Sequence, residues 1–358
     1  MSGPHIAVIG AGAVGAYVGG HLARAGETVT LLDAWPEQIA QMRSAGLQLG
    51  GTQGEHTVRV EALHVCDAQR LITRPVDIAI VCTKAFDTAW AVTLIKPYLS
   101  ASGYVVSMQN GINEDCIAGI VGWSRTVGCV LNTIGVGLLA PGRVTRFRQP
   151  GDAGNAIFLV GEVHGMLTPR VEDLARRLCA VDVAVATRNL WGERWTKLVT
   201  NAMQMGILAA TGLNKQDVNA WAPSRGLMVQ AAAEGIAVGR ALGFEVGAIV
   251  KVAPAAWTAA AAGDAGALRT VEAGLTAYLN RLTGAGRRER DSMGRDAVAG
   301  RRTEVDFING LIAARGEQAG VAVPVHRGLT AIIRRIERRE LQPDRSHILP
   351  LCAALNPS

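Results

Sequence analysis

The first half of the chain alternates short apolar runs with polar, helix-spaced stretches, and the second half carries only helical spacing. The run His5-Ile6-Ala7-Val8-Ile9 stops at glycines, and an alanine-rich stretch over 13–25 follows with a period near 3.6. Residues 28–32 are β-branched and apolar, 37–45 polar and helical, and 46–50 and 57–60 alternate around a glycine-rich turn. The runs at 78–82 and 104–108 are apolar enough for strands buried on both faces, with a helical pattern over about 86–95 between them. Further strands are predicted over 127–131, 143–147, 156–160 and 181–185, with 143–147 and 156–160 as antiparallel edge strands. Strand signals stop near residue 188, and long helical patterns cover about 195–210, 224–242 and 263–282. The expected fold is α/β, an N-terminal Rossmann-type doubly wound sheet followed by an all-α C-terminal domain. The boundaries read as 1–188, 189–340 and a proline-containing tail over 341–358, which has no role that the pattern explains. An alanine-rich segment at about 253–267 reads as a lengthening of the helical domain.

Chemistry enters at the end of the first strand. Gly10-Ala11-Gly12-Ala13-Val14-Gly15 is a G-x-G-x-x-G placed after a strand and at the opening of a helix, the context in which it binds a dinucleotide. Gly10 serves the tight turn, Gly12 the approach of the pyrophosphate to the backbone, and Gly15 the packing of helix on strand. The phosphates would face the helix N-terminus, at Ala13 and Val14. The second strand ends at Asp33, 18 residues after Gly15. A carboxylate there either accepts from a ribose 2′-hydroxyl or begins a turn into the next helix. Lys84 and Asn110 also follow predicted strands, and ligands of such sheets bind outside the carboxyl ends of the strands.

Composition narrows the class. The 358 residues are 49% apolar and only 4% aromatic, enough chain for two cores. No uncharged apolar run reaches bilayer length and the N-terminus lacks a basic segment followed by an apolar one, so a soluble, cytoplasmic protein is expected. The six cysteines are scattered without a C-x-x-C pair or histidine clustering, so neither metal nor disulfide is expected. The formal charge of +6 sits largely in two arginine runs, 287–290 and 334–339, read as solvated helix ends rather than a nucleic-acid surface. An anionic cofactor and substrate also suit a positive field.

Two helical-domain segments place polar residues among apolar ones. In Trp195-Thr196-Lys197-Leu198-Val199-Thr200-Asn201-Ala202, Lys197 and Asn201 share a helix face. Such a lysine either reaches solvent or lies in a cleft. In the segment 291–310, Gly300 is expected to end one helix and Thr303 to cap the next, with Asp306 completing a capping box and Glu304 in the first turn. Capping leaves Ser292, Asp296 and Glu304 unexplained.

Together, G-A-G-A-V-G at 10–15, T-K-A at 83–85, Q-N-G at 109–111, K-L-V-T-N-A at 197–202 and S-M-x-x-D-x-x-x-G-R-x-T-E-V-D-F-I-N-G at 292–310 resemble the ketopantoate reductase (2-dehydropantoate 2-reductase) family of the 6-phosphogluconate-dehydrogenase-like superfamily. The last string is the most specific, and the likeness runs from residue 5 to about 340. The resemblance implies NAD(P)H-dependent reduction of a branched 2-oxo acid in a cleft between the domains, with no nucleic acid or membrane partner. It implies Lys197 as general acid and Glu304 as its acidic partner. Asn110, Asn201 and Ser292 would bind substrate, and Lys84 with Asn110 would lie beside the nicotinamide. A homodimer is common in the family, and the alanine-rich helical domain could bury its interface.

Two departures qualify the resemblance. Members that prefer NADP commonly place an arginine just past the second strand, whereas this chain reads Leu32-Asp33-Ala34-Trp35, which leans to NAD. A further asparagine often follows four residues after Asn201; here it is Met205, which favours a more apolar or differently shaped substrate, unless Asn214 compensates. Two alternatives follow: a 2-hydroxy-acid dehydrogenase acting on a more apolar 2-oxo acid, and a nucleotide-sensing Rossmann protein without chemistry. The retention of Lys197, Asn201, Ser292 and Glu304 speaks against the second.

Overall fold

In β1 (His5–Ile9) every residue is buried, Ile6 and Val8 into one core and Ala7 and Ile9 into another, which is why the run carries no polar alternation. The computed structural model describes residues 3–152, 154–282 and 284–355. It divides into two units, one ending at Leu190 and one beginning at Trp191.

The first unit continues with α1 (Ala13–Arg24), β2 (Thr28–Asp33), α2 (Pro36–Ala45), β3 (Leu47–Gly51), β4 (His56–Val58), β5 (Glu61–His64), β6 (Val76–Val81), α3 (Thr88–Ile95), β7 (Leu99–Ser107), α4 (Glu114–Val121), β8 (Thr126–Leu131), β9 (Val136–Ala140), β10 (Arg143–Arg146), β11 (Phe158–Glu162), α5 (Pro169–Leu178) and β12 (Ala184–Ala186). One sheet has the order β12-β11-β8-β7-β6-β1-β2-β5. It is parallel from β5 through β8, then β11 runs antiparallel to β8 and β12 parallel to β11. Helices cover both faces, the α1 side and the α3–α4 side, as a doubly wound sheet requires.

Two expectations are corrected. Neither 143–147 nor 156–160 forms an edge: β10 lies between β3 and β9, and β11 between β8 and β12. The sequence pattern also gave no sign of β5, whose four residues begin and end polar, or of β9.

The order β4-β3-β10-β9 forms a second, smaller sheet against α1. Consecutive glycines make room for α1 between the two layers. A β-carbon on Gly19 would strike the Leu31 side chain of the large sheet, and one on Gly20 would come within 2.7 Å of Leu47 and 2.9 Å of Leu49 in the small one. A buried ion pair clamps the small sheet. Arg146 of β10 meets the Asp182 carboxylate, whose Oδ1 also accepts the Gly151 N–H at 2.8 Å and the Val183 N–H at 2.7 Å. The Arg146 Nε donates to the Arg148 carbonyl at 2.9 Å.

The described part of the second unit is helical: α6 (Leu190–Thr211), α7 (Lys215–Ala220), α8 (Ala222–Ala241), α9 (Pro254–Ala261), α10 (Ala265–Asn280), α11 (Gly284–Arg288), α12 (Ser292–Val298), α13 (Asn309–Gln318), α14 (Pro324–Glu337) and α15 (Leu349–Leu355). The alanine-rich segment supplies α9, which packs on α8 and α10 through fully buried Trp257. The tail is part of the unit. The Asp344 N–H bonds the Ala210 carbonyl at 3.0 Å, α15 packs on α8, and Leu351 covers Gly328 of α14. Residues 356–358 of the tail lie outside the described ones. Among the described residues no helix is long and apolar enough to cross a membrane.

A proton-linked network fastens α14 to α8. The Glu234 carboxylate accepts the N–H groups of Val325 and His326 at 2.9 and 3.1 Å, capping α14. Burial pushes Glu234 up to about 7 against those bonds, and burial pushes His326 down to about 4. Because His326 titrates near 6.5 when unfolded and about 4 when folded, the unfolded state gains the proton first, and stability falls as pH drops through that window. Glu234, near 4.5 unfolded and about 7 folded, has the opposite slope, since the folded state takes its proton first. The two cancel over their shared window. In Glu234→Gln only the histidine slope survives, so relative to the parent the variant loses up to about 1.4 kcal/mol per pH unit from about pH 7 toward 4.5, the window of the missing carboxyl. Urea unfolding midpoints across pH check this; a variant–parent difference independent of pH contradicts it.

Candidate active site

At the carboxyl edge of the large sheet, Gly10 turns the chain with φ +95°, and its N–H bonds the Leu32 carbonyl at 2.9 Å. Its conformation excludes other residues, and a β-carbon would lie 2.8 Å from the Thr83 nitrogen. Gly15 sits so close that a β-carbon would collide with the Gly10 carbonyl oxygen. At Gly12, the N-cap of α1, a β-carbon would meet nothing within 4 Å, so the backbone is open to a ligand. The N–H groups of the first helical turn, from Ala13 and Val14 onward, point outward there. The Cys82 β-carbon lies 3.1 Å from that of a residue built at Gly15, and burial pushes its thiol up, so the floor stays uncharged. An open glycine, an outward-facing helix start and a neutral floor fit a pyrophosphate.

Gln38 was not singled out by the sequence pattern. Fully buried on α2, it donates to the Ala11 carbonyl at 2.8 Å and accepts the Gly142 N–H at 2.6 Å, tying the glycine loop to the β9–β10 turn. Its signal was a glutamine on the helix face that also buries Ile39 and Met42. Asp33 ends β2 half-buried, opposite His64, and its Oδ1 accepts the Trp35 N–H at 2.9 Å. It therefore does begin a turn, with one oxygen.

Lys84 and Asn110 follow β6 and β7, both half-buried. The Gln109 amide pins their loops together, with the Thr83 carbonyl and the Thr88 hydroxyl each 3.0 Å from its nitrogen. Asn113 Nδ2 donates to the Asn110 carbonyl at 2.8 Å. The loop 10–15, Asp33, Lys84 and Asn110 thus stand at the same ends of four neighbouring parallel strands, β2, β1, β6 and β7.

In the second unit, Lys197 and Asn201 lie half-buried one turn apart on α6, with Met205 buried one turn further. α6 is held on both sides: Trp195 Nε1 donates to the Gly235 carbonyl at 2.8 Å, and the Thr196 hydroxyl accepts the Gly247 N–H at 2.7 Å. Ser292 opens α12 behind Asp291, whose Oδ1 accepts the Gly294 N–H at 2.7 Å, and Gly294 faces Leu208 of α6.

Glu304 is buried, but the expected capping box does not form. The Thr303 hydroxyl accepts the Val305 N–H at 3.1 Å, Asp306 pairs with Arg334 at 2.7 Å, and α13 begins only at Asn309. A side-chain acceptor two residues away and a stronger partner for Asp306 displaced the box. Asn214 does not replace the missing amide either, since it caps α7 by accepting the Asp217 N–H at 2.9 Å.

Asn309 joins these pieces, and the sequence pattern did not single it out. Its Nδ2 donates to the Ala202 carbonyl of α6 at 2.9 Å and to His326 Nδ1 at 3.1 Å, while His326 Nε2 donates to the Ala231 carbonyl at 2.9 Å. A carbonyl can only accept, which assigns the proton of the neutral ring to Nε2. Gly206 leaves room for the Asn309 amide, 2.7 Å from where a β-carbon would stand. Asn309 thereby fastens the segment carrying Glu304 to the α6 turn carrying Asn201.

Family models described as ketopantoate reductase PanE/ApbA and its C-terminal domain match residues 6–154 and 189–337. A 2-dehydropantoate 2-reductase of Halobacterium salinarum is 28% identical over 337 residues, covering 93% of this chain and 99% of that one. Among solved structures, a PanE/ApbA family ketopantoate reductase of Ralstonia eutropha superposes with TM-score 0.75 at 28% identity, covering 94% of this chain and 99% of that one. A D-mandelate dehydrogenase solved with NADH and anilino(oxo)acetate shares the fold, with TM-score 0.76 at 21% identity over 94% of this chain and 99% of that one.

Proposed function

The chain belongs to the ketopantoate reductase family, and from that premise we propose that it reduces 2-dehydropantoate to the 2-hydroxy acid with NADH as its preferred cofactor. The relatives are 2-dehydropantoate 2-reductases, oxidoreductases that act on CH–OH groups. The nicotinamide, when bound, supplies the hydride. Lys197 hydrogen-bonds the ketone oxygen, stabilises the charge that develops there and gives up its proton to it. Glu304, buried, supplies the counter-charge that an ammonium out of water requires. Asn110, Asn201 and Ser292 orient the substrate's carboxylate and hydroxyl, and Lys84 with Asn110 stands beside the nicotinamide end. The observation that carries this reading is the Asn309 clasp, at 2.9 Å, between the Glu304 segment and the Lys197–Asn201 helix.

Asp33 carries the cofactor preference. One carboxylate oxygen holds the turn, the other is suited to a ribose hydroxyl, and a 2′-phosphate would be repelled. A second substrate reading rests on Met205: an apolar side chain one turn past Asn201 favours a 2-oxo acid with a larger apolar branch.

Initial rates with NADH and NADPH, on 2-dehydropantoate and a panel of bulkier 2-oxo acids, test both. NADH is expected to give a kcat/KM at least about tenfold above NADPH, and Asp33→Ser to narrow that ratio. An equal or inverted ratio contradicts the preference, and a bulkier acid turning over faster moves the substrate to the second reading.

A further inference from the structure

We infer that the Trp35 indole is the platform on which the cofactor's adenine stacks, an inference that rests on the nicotinamide-cofactor reading above and specifies its adenosine end. Trp35 is 42% exposed although its backbone is held on both sides. Its N–H is fixed to Asp33 Oδ1 at 2.9 Å. The carbonyl of Ala34 accepts from His64 Nε2 at 3.1 Å, and His64 Nδ1 in turn accepts the Cys66 N–H at 3.3 Å, which assigns the ring proton to Nε2. Pro36 follows at the first position of α2, and Gln38 pins that first turn to the glycine loop through Ala11 at 2.8 Å. The turn is therefore rigid, and the large side chain it presents is a flat apolar one two residues past the carboxylate that would take the ribose.

Position separates Trp35 from the other exposed tryptophans. Trp90 lies within α3, and Trp123 precedes β8, at the amino end of that strand. Trp35 alone of the three directly follows β2 at the carboxyl edge, where Gly10 and Gly12 open. Stacking on a base is tolerant of base identity and needs no charge. An indole therefore gains affinity from adenine whether or not the ribose carries a 2′-phosphate, and leaves the choice between NAD and NADP to Asp33.

Calorimetric titration of the full-length protein with AMP and with NADH tests this on Trp35→Ala and Trp35→Phe. The alanine variant is expected to bind AMP and NADH about tenfold to a hundredfold more weakly, while phenylalanine retains most of the affinity. AMP should also quench indole emission in the parent more than in Trp35→Phe. If the parent binds AMP and NADH and the alanine variant binds them equally well, the stacking role is overturned and the cofactor reading stands. If the parent binds neither, both fall together.

Discussion

Replacing Lys197 with alanine is expected to lower kcat for 2-oxo acid reduction by about a hundredfold to ten-thousandfold, the range that a positioned general acid contributes. The effect belongs to turnover rather than to cofactor affinity. The proposed partner of Lys197 is the ketone oxygen and not the cofactor, so NADH titrations of the variant should match the parent within about threefold. The loss has two physical parts: an absent proton donor and an absent positive charge where the alkoxide forms. Lys197→Arg, which keeps the charge but moves the donors and resists deprotonation, should recover only a small part of the rate. An alanine variant that retains more than about a tenth of the parent rate contradicts the assignment, since general-acid catalysis would then be worth too little.

The second large effect concerns stability. Asp182→Ala is expected to destabilise the sheet unit by about 3–5 kcal/mol, because it leaves the Arg146 guanidinium buried without its counter-charge. Both side chains are almost fully excluded from solvent, at 0% and 1% exposure, so water cannot take the place of the carboxylate. The substitution also removes the acceptor for the Gly151 and Val183 N–H groups. Urea unfolding followed by a probe in the sheet unit measures the loss. Removing both charges, as in Arg146→Met with Asp182→Ala, should recover part of it, since the orphaned charge is the larger cost. A single variant within about 1 kcal/mol of the parent would mean the pair contributes little.

What the sequence made legible follows from where side-chain period and glycine chemistry act locally. Strands buried on both faces, such as β1 and β6, advertise themselves as unbroken apolar runs, and the loop 10–15 carries its own backbone requirements. β5 and β9 were invisible because each is short and begins or ends with polar or exposed residues, and its pairing comes from neighbours far along the chain. The same reason hid Gln38 and Asn309. Each is one polar residue among several in its helix, and only tertiary structure buries it and brings Ala11 and Gly142 to one, and Ala202 and His326 to the other. Capping logic failed at Thr303 because Arg334, 28 residues beyond Asp306, offered its carboxylate a charged partner. Lys197, Asn201, Ser292 and Glu304 became candidates through the resemblance, since spacing alone left the lysine's role open.

The measurement that bears most directly on the central claim is hydride transfer itself. The parent protein is incubated with 2-dehydropantoate and NADH deuterated at the transferable position, and the product is isolated and analysed. The account predicts one deuterium at the carbon that bore the ketone, with one NADH consumed for each hydroxy acid formed. Hydroxy acid without deuterium at that carbon, or bound NADH that is never oxidised by any 2-oxo acid offered, would contradict it.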